Sequence, residues 1–184
     1  MTQTTCRIRP AEPRDVPVLL ALITELAEYE REPDAVRNTG ALLHEHLFGP
    51  DPKVFAHVAE ETTTDDDGAT VGDPAVVGMA IWFLNYSTWE GVHGIHLEDL
   101  YVRPDARKNG HGRALLATLA RLAVERDCAR LEWQVLNWNE LAIGFYDSLG
   151  AEAMSGWTTR RLDGEGLTRL ADQAPKAPAE DPAG

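Results

Sequence analysis

Cysteine is nearly absent from this chain: among 184 residues only Cys6 and Cys128 carry thiols. Two thiols so far apart fit neither a disulfide framework nor a metal-ligand spacing, so the sequence predicts reduced cysteines, a cytoplasmic protein and no metal site. Basic residues are also scarce, with 17 Lys and Arg against 30 Asp and Glu, a formal net charge of −13. Proteins that track phosphate backbones draw affinity from basic patches that release counterions, so nucleic acid is not an expected partner. No apolar run approaches the roughly 18 residues that a membrane-spanning helix needs, and the start MTQTTCRIRP has no apolar signal region. Membrane association is therefore not expected. The histidines do not cluster either: His44 and His46 stand two apart on one helical stretch, and His93 and His96 flank a strand start.

What is present is an ordinary globular composition, 43% hydrophobic and 26% charged, in a length that suits one core. Cys6–Pro10 reads as a short strand. From Pro13 the apolar positions Val16, Leu19, Leu20, Ile23, Leu26 and Ala27 recur at three- and four-residue steps, predicting an amphipathic helix that ends near Tyr29–Arg31. Thr39 can cap a second short helix carrying Leu42, Leu43 and Leu47, closed by Gly49-Pro50. The period then changes to strand-like runs at Val54–Ala59, Val76–Leu84 and Ile95–Val102. A helix is expected over Arg113–Arg126, a strand over Leu131–Leu136, and a helix capped by Asn139 and stopped at Gly150. Trp157–Leu162 reads as a last strand and Gly166–Ala171 as a last helical turn.

Two stretches lack periodicity. Residues 60–75 read as a mobile acidic loop, and residues 172–184 as a disordered Pro/Ala-rich tail beyond a single domain spanning 1–171. Eight of the thirteen excess negative charges fall in residues 60–73 and 172–184. The acidity thus reads mainly as solubility. The order β-α-α-β-β-β-α-β-α-β, strands first and alternation later, predicts an α/β fold with helices packed around one mixed sheet.

The loop Arg107-Lys108-Asn109-Gly110-His111-Gly112-Arg113 joins a strand to a helix. A helix N-terminus presents unpaired N–H groups and about half a positive charge, so a glycine-rich turn there can close on a pyrophosphate, with Arg107 adding a charged fork. A plain β-α turn, whose glycines only supply permissive dihedrals, is the competing reading. A dinucleotide-binding unit is disfavoured because the glycines follow a late strand and the third glycine is missing.

That loop follows Leu97-Glu98-Asp99-Leu100-Tyr101-Val102 and precedes Trp138-Asn139-Glu140 and Phe145-Tyr146-x-x-Leu149-Gly150-Ala151. Together with Ile8-Arg9-Pro10-Ala11, Glu25–Glu30, Tyr86-Ser87-Thr88-Trp89 and Gly156-Trp157, these segments resemble the GCN5-related N-acetyltransferase (GNAT) superfamily, and within it the spermidine/spermine and thialysine acetyltransferase branch. The resemblance implies a GNAT-type mixed, mostly antiparallel central sheet with helices on both faces and a splayed parallel strand pair that binds acetyl-CoA. It implies that acetyl-CoA lies along Leu100, Tyr101 and Val102, with its pyrophosphate on Arg107, Lys108, Asn109, Gly110, His111, Gly112 and Arg113 and its pantetheine near Asn139. Tyr146 matches a tyrosine that protonates the departing sulfur, and Glu98 a carboxylate that takes the amine proton through water.

Tyr29, Glu30, Trp89, Glu98 and Asp99 match positions that meet the substrate amine. On the residues alone, Tyr146 shares a helix face with Ala142, Phe145 and Leu149 and reads as core, while Glu30 belongs to a run that any solvated helix end can carry. Asp99 points to the sheet face opposite Glu98 if the strand is regular, and to the same face only if a bulge intervenes. Ser87 stands where the polyamine enzymes have an aspartate, which removes a contact to a distal ammonium. The resemblance further implies a homodimer and a small-molecule primary amine as acceptor, a diamine or a lysine-like amino acid. Acetylation of a protein, an antibiotic or another amine, and a non-catalytic acyl-CoA sensor, are the alternatives.

Overall fold

The computed structural model describes residues 2–175. The chain divides into two compact units, Met1–Gln134 and Val135–Gly184. The first contains a five-stranded sheet in the order β1 (Gln3–Pro10), β2 (Phe55–Thr64), β3 (Ala75–Ser87), β4 (Val92–Val102) and β5 (Leu131–Trp133). Neighbours from β1 to β4 run antiparallel, and β4 pairs parallel with β5. Helices α1 (Val16–Tyr29), α2 (Gly40–Phe48) and α3 (His111–Glu125) complete the unit.

Period-2 alternation along the strands sorts the sheet into two apolar faces. On one, Ala56, Val58, Met79, Ile81 and Tyr101 form a core with Val16, Leu19 and Leu22 of α1 and Leu43 and Leu47 of α2. Leu19 and Leu22 are fully buried. Such a side chain contributes about 1.5–3 kcal/mol relative to exposure, which holds α1 on the sheet. Residues of the alternate set, including Ala59, Ala80, Trp82 and Leu97, are buried on the face that carries α3 with its buried Leu115, Leu116, Leu119 and Ala123. The predicted helical stripes fall on these contacts, and the Thr39 hydroxyl caps α2 by accepting the Leu42 amide at 3.2 Å.

Two register shifts interrupt the ladders. Between β2 and β3 the pairs Ala59–Gly78 and Glu60–Val76 leave Val77 as the extra residue. Between β3 and β4 the pairs Trp82–Leu97 and Ile81–Asp99 leave Glu98 as the extra residue. A Cβ on Gly78 would lie 2.9 Å from both the Tyr101 carbonyl oxygen and Val102 Cγ2, so β3 and β4 approach there as only glycine allows.

The acidic connection is shorter than expected. Residues 60–64 continue β2, because β1 extends back to Gln3 and supplies a full antiparallel ladder up to the Gln3–Thr64 pair. Glu60 is an ion-pair partner rather than a solubilising charge. Arg9, 4% exposed, reaches Asp15 at 2.6 Å and Glu60 at 2.6 Å. Three charges taken out of water persist only because each meets an opposite one.

The second unit contains α4 (Glu140–Asp147) and α5 (Gly164–Ala171). The strand expected at Trp157–Leu162 does not form: no residue from 151 to 163 lies in a strand. Branched and aromatic composition favours an extended chain but cannot supply the ladder partner that makes one a strand. The expected tail at 172–184 falls, from residue 176 onward, outside the described residues.

Candidate active site

The functional side chains predicted on β4 gather around the bulge at Glu98. In a regular strand Glu98 and Asp99 point to opposite faces, whereas an extra residue allows two successive side chains to share one. Asp99 pairs with Ile81, which faces α1. Glu98 Oε2 lies 3.8 Å from His96 Nε2, and His96 pairs with Phe83, two residues along β3 from Ile81 on the same face. Both carboxylates therefore stand on the α1 side. Glu98 is exposed and Asp99 half-buried. Burial, reinforced by the charges of Glu98 and then Glu30, pushes the Asp99 carboxyl up to about 6. Glu30, at the C-terminal cap of α1, is itself raised by burial.

Salt bridges and aromatic contacts hold the end of α1 to the end of β4. Arg103 donates through Nε and Nη2 to the Glu25 carboxylate at 3.1 and 2.8 Å. The Arg107 guanidinium sits 5.2 Å from the Tyr29 ring centre and 5.6 Å from that of Tyr101, and its Nε donates to the Val102 carbonyl at 2.9 Å. Cation–π contact on two rings makes Arg107 a strut between the helix and the strand, and its Nη atoms make no hydrogen bond among the described residues. Tyr29 and Glu30 are thereby brought to the Asp99 side of the sheet.

On its other edge β4 loses its partner. Pairing with β5 covers only Ile95–Leu131, His96–Glu132 and Leu97–Trp133. The strand expected to run to Leu136 stops at Trp133, so from Glu98 to Val102 this edge pairs with no strand among the described residues. No ladder engages the backbone of that stretch on this edge among the described residues. Leu100 and Val102 are half-buried and Tyr101 is buried.

Past Val102 the chain turns through Pro104–Ala106 into the glycine loop. Lys108 adopts φ 68° and Gly110 φ 85°, both left-handed, and Gly110 caps α3. A Cβ at Gly110 would meet no atom within 4 Å, so glycine is needed there for its dihedral. Lys108, Asn109 and Gly110 are exposed, followed by the first-turn amides of α3, which have no intrahelical acceptor. His111 departs from the expectation of a tolerant loop position. Its side chain is 6% exposed, and Nε2 lies 2.6 Å from Glu61 Oε1. The sequence places Glu61 in the mobile acidic loop, yet it lies in β2; the signal for the strand is the run of β-prone threonines after Glu60-Glu61.

Within the first unit, Trp89 stands apart from this cluster. Trp89 lies in the β3–β4 turn and is 87% exposed. The five strand steps from Leu97 to Val92 place that turn roughly 17 Å from the bulge at about 3.3 Å per residue. Ser87 is buried, and its hydroxyl accepts the Glu90 amide at 3.2 Å, so it holds the turn. Asn139 and Tyr146 belong to the second unit. The Asn139 side chain accepts the Ala142 amide at 3.2 Å as the cap of α4, and the Tyr146 ring, half-buried, lies 5.4 Å from that of Phe145. Among the described residues no group of three His, Cys, Asp or Glu side chains is arranged to hold a metal ion, and no helix is long and apolar enough to cross a membrane.

Residues 19–151 match the acetyltransferase (GNAT) family. A thialysine N-epsilon-acetyltransferase from Bos taurus is 38% identical over 167 residues, covering 89% of this chain and 96% of the relative. An L-ornithine N5-acetyltransferase from Arabidopsis thaliana is 30% identical, covering 89% of this chain and 87% of the relative. Among solved structures, an integron cassette protein from the mobile metagenome of V. cholerae superposes with a TM-score of 0.70 at 25% identity, covering 90% of this chain and 97% of that chain.

Proposed function

Because the chain belongs to the acetyltransferase (GNAT) family, we propose that it transfers the acetyl group of acetyl-CoA to the primary amine of a small molecule, a diamine or a lysine-like amino acid. The observation that carries this reading is the β4 bulge, which puts Glu98 and Asp99 on one face near Glu30, beside a strand edge with no partner. A cluster of carboxylates selects a cationic acceptor and opposes an anionic one. The pyrophosphate fits the amides from Lys108 to Arg113, where exposed left-handed backbone and a helix N-terminus coincide. Arg107 shapes that loop and adds its positive charge beside it. The thioester arm fits the edge of β4 at Leu100, Tyr101 and Val102, and Asn139 is assigned to the pantetheine as the cap of α4.

An alkyl ammonium titrates near ~10, so about one molecule in a thousand is free amine at pH 7. Glu98 takes the ammonium proton through a water molecule, the nitrogen attacks the acetyl carbonyl carbon, the carbon–sulfur bond breaks as Tyr146 donates its phenolic proton to the sulfur, and the second nitrogen proton leaves to water, from which the Tyr146 phenol is restored. Nitrogen gains the acetyl group and the donor leaves as a thiol, with no acyl-enzyme. Burial of Asp99 favours a second assignment within the same reaction, in which Asp99 is the proton acceptor. A carboxyl at about 6 is ionised at neutral pH yet more basic than an ordinary one.

A homodimer in the cytoplasm completes the proposal, with Trp89 lining the amine site in that assembly. The test is thiol release from acetyl-CoA with putrescine, spermidine, thialysine, lysine, ornithine and peptide amines. Turnover on a diamine or lysine-like amine is expected. Turnover on peptides alone redirects the acceptor, and CoA binding without release on any amine makes the protein a sensor. Sedimentation at micromolar concentration reads the dimer.

A further inference from the structure

We propose that Glu61 is a positioning residue for acyl-donor binding: from β2 it clamps His111 and so fixes the direction of the amides that receive the pyrophosphate. The inference rests on the acetyl-CoA reading of the glycine loop. Glu61 stands on the α3 face of the sheet, alternate to Glu60, which turns to Arg9 on the other face. Its cross-strand partners are Cys6 on β1 and Ala75 on β3, neither of them a cation. The group that meets the carboxylate is instead the His111 imidazole, at 2.6 Å. An ionised carboxylate only accepts, so His111 Nε2–H donates. Such a bond is charge-assisted, and with His111 6% exposed and Glu61 21% exposed it is largely shielded from competing water.

The position of this bond in the loop gives it its effect. Lys108, Asn109 and Gly110 project into solvent, two of them in left-handed conformations. The residues on either side are the ones whose side chains turn inward. Arg107 ties the loop's beginning to the Val102 carbonyl, and His111 ties its end to Glu61. A loop anchored at both ends presents its amides in one arrangement, and a preorganised donor set binds an anion without first losing conformational freedom.

Three measurements on the full chain test this: calorimetric binding of CoA, steady-state KM for acetyl-CoA and for the amine, and backbone amide NMR of residues 108–112. Glu61→Ala is expected to weaken CoA binding and raise KM for acetyl-CoA about tenfold, the loss of one charge-assisted hydrogen bond. KM for the amine and kcat at saturating donor should move less than about twofold. Amide resonances of the loop should broaden or shift. Glu61→Gln retains an acceptor for His111 and is expected to restore most of the affinity, which also separates the effect from a folding defect. Normal CoA binding by the wild-type chain with unchanged affinity in Glu61→Ala overturns the clamp alone. Equal losses in kcat and in both KM values, not rescued by Glu61→Gln, reduce Glu61 to general stability and also overturn it. Failure of the wild-type chain to bind CoA overturns the donor assignment and the clamp with it.

Discussion

Replacing Asp99 with asparagine should make the protein more stable and less active, by amounts that depend on pH in a defined way. The Asp99 carboxyl titrates at about 6 in the fold against an ordinary 3.8, chiefly because it is withdrawn from water and secondarily because Glu98 and Glu30 are near. At about 1.4 kcal/mol per pH unit, keeping it ionised in the fold costs on the order of 3 kcal/mol. The raised value sets the sign. The folded state holds this proton more tightly than the unfolded chain, so the stabilising proton is present below about 3.8 and is lost as pH rises through about 6. Asparagine has no such ionisation. The stability gain of Asp99→Asn should therefore be near zero at pH 4 and grow to a ceiling of about 3 kcal/mol at pH 8, read by urea unfolding at each pH. In parallel, kcat/KM of the wild type should fall as pH drops through about 6, and that limb should vanish in Asp99→Asn if Asp99 is the proton acceptor. A limb that persists in Asp99→Asn and disappears in Glu98→Gln returns the role to Glu98. A stability difference with no pH dependence, or a destabilised variant at pH 8, refutes the reasoning about burial.

Arg9→Ala leaves Asp15 and Glu60 without their cation and should cost about 3–5 kcal/mol by urea unfolding; a loss below about 1 kcal/mol would show the network to be solvated. Gly78→Ala pushes a Cβ against the Tyr101 carbonyl oxygen and should destabilise by about 1–3 kcal/mol, a fall in Tm of several degrees in a chain of this length. Tyr146→Phe should lower kcat about 100-fold while leaving CoA binding intact, and unchanged turnover would remove the acid role.

Helix faces, caps and turn residues depend on one segment of chain, and they were legible in the sequence. The three- and four-residue spacing of Val16, Leu19 and Leu26 places α1, the Thr39 and Asn139 side chains cap their helices, and Gly110 takes the left-handed conformation that opens α3. The motifs around Glu98, the glycine loop and Tyr146 likewise carried the family. Pairwise facts were not legible. That Glu98 and Asp99 share a face follows from the slip of β4 against β3, and register belongs to two strands at once. The threonine-rich stretch after Glu61 became strand because β1 offered a ladder, whereas Trp157–Leu162, of similar propensity, found none. The charge of Arg107 points to a phosphate from the sequence alone, whereas its contact with the rings of Tyr29 and Tyr101, 78 and 6 residues away, does not. The sequence by itself determined which segments are helix or strand and which chemistry they carry, since propensity and spacing are local. The tertiary structure decided which carboxylates meet, which strand edge stays open and what holds the glycine loop, because hydrogen bonds and desolvation depend on partners distant in the chain.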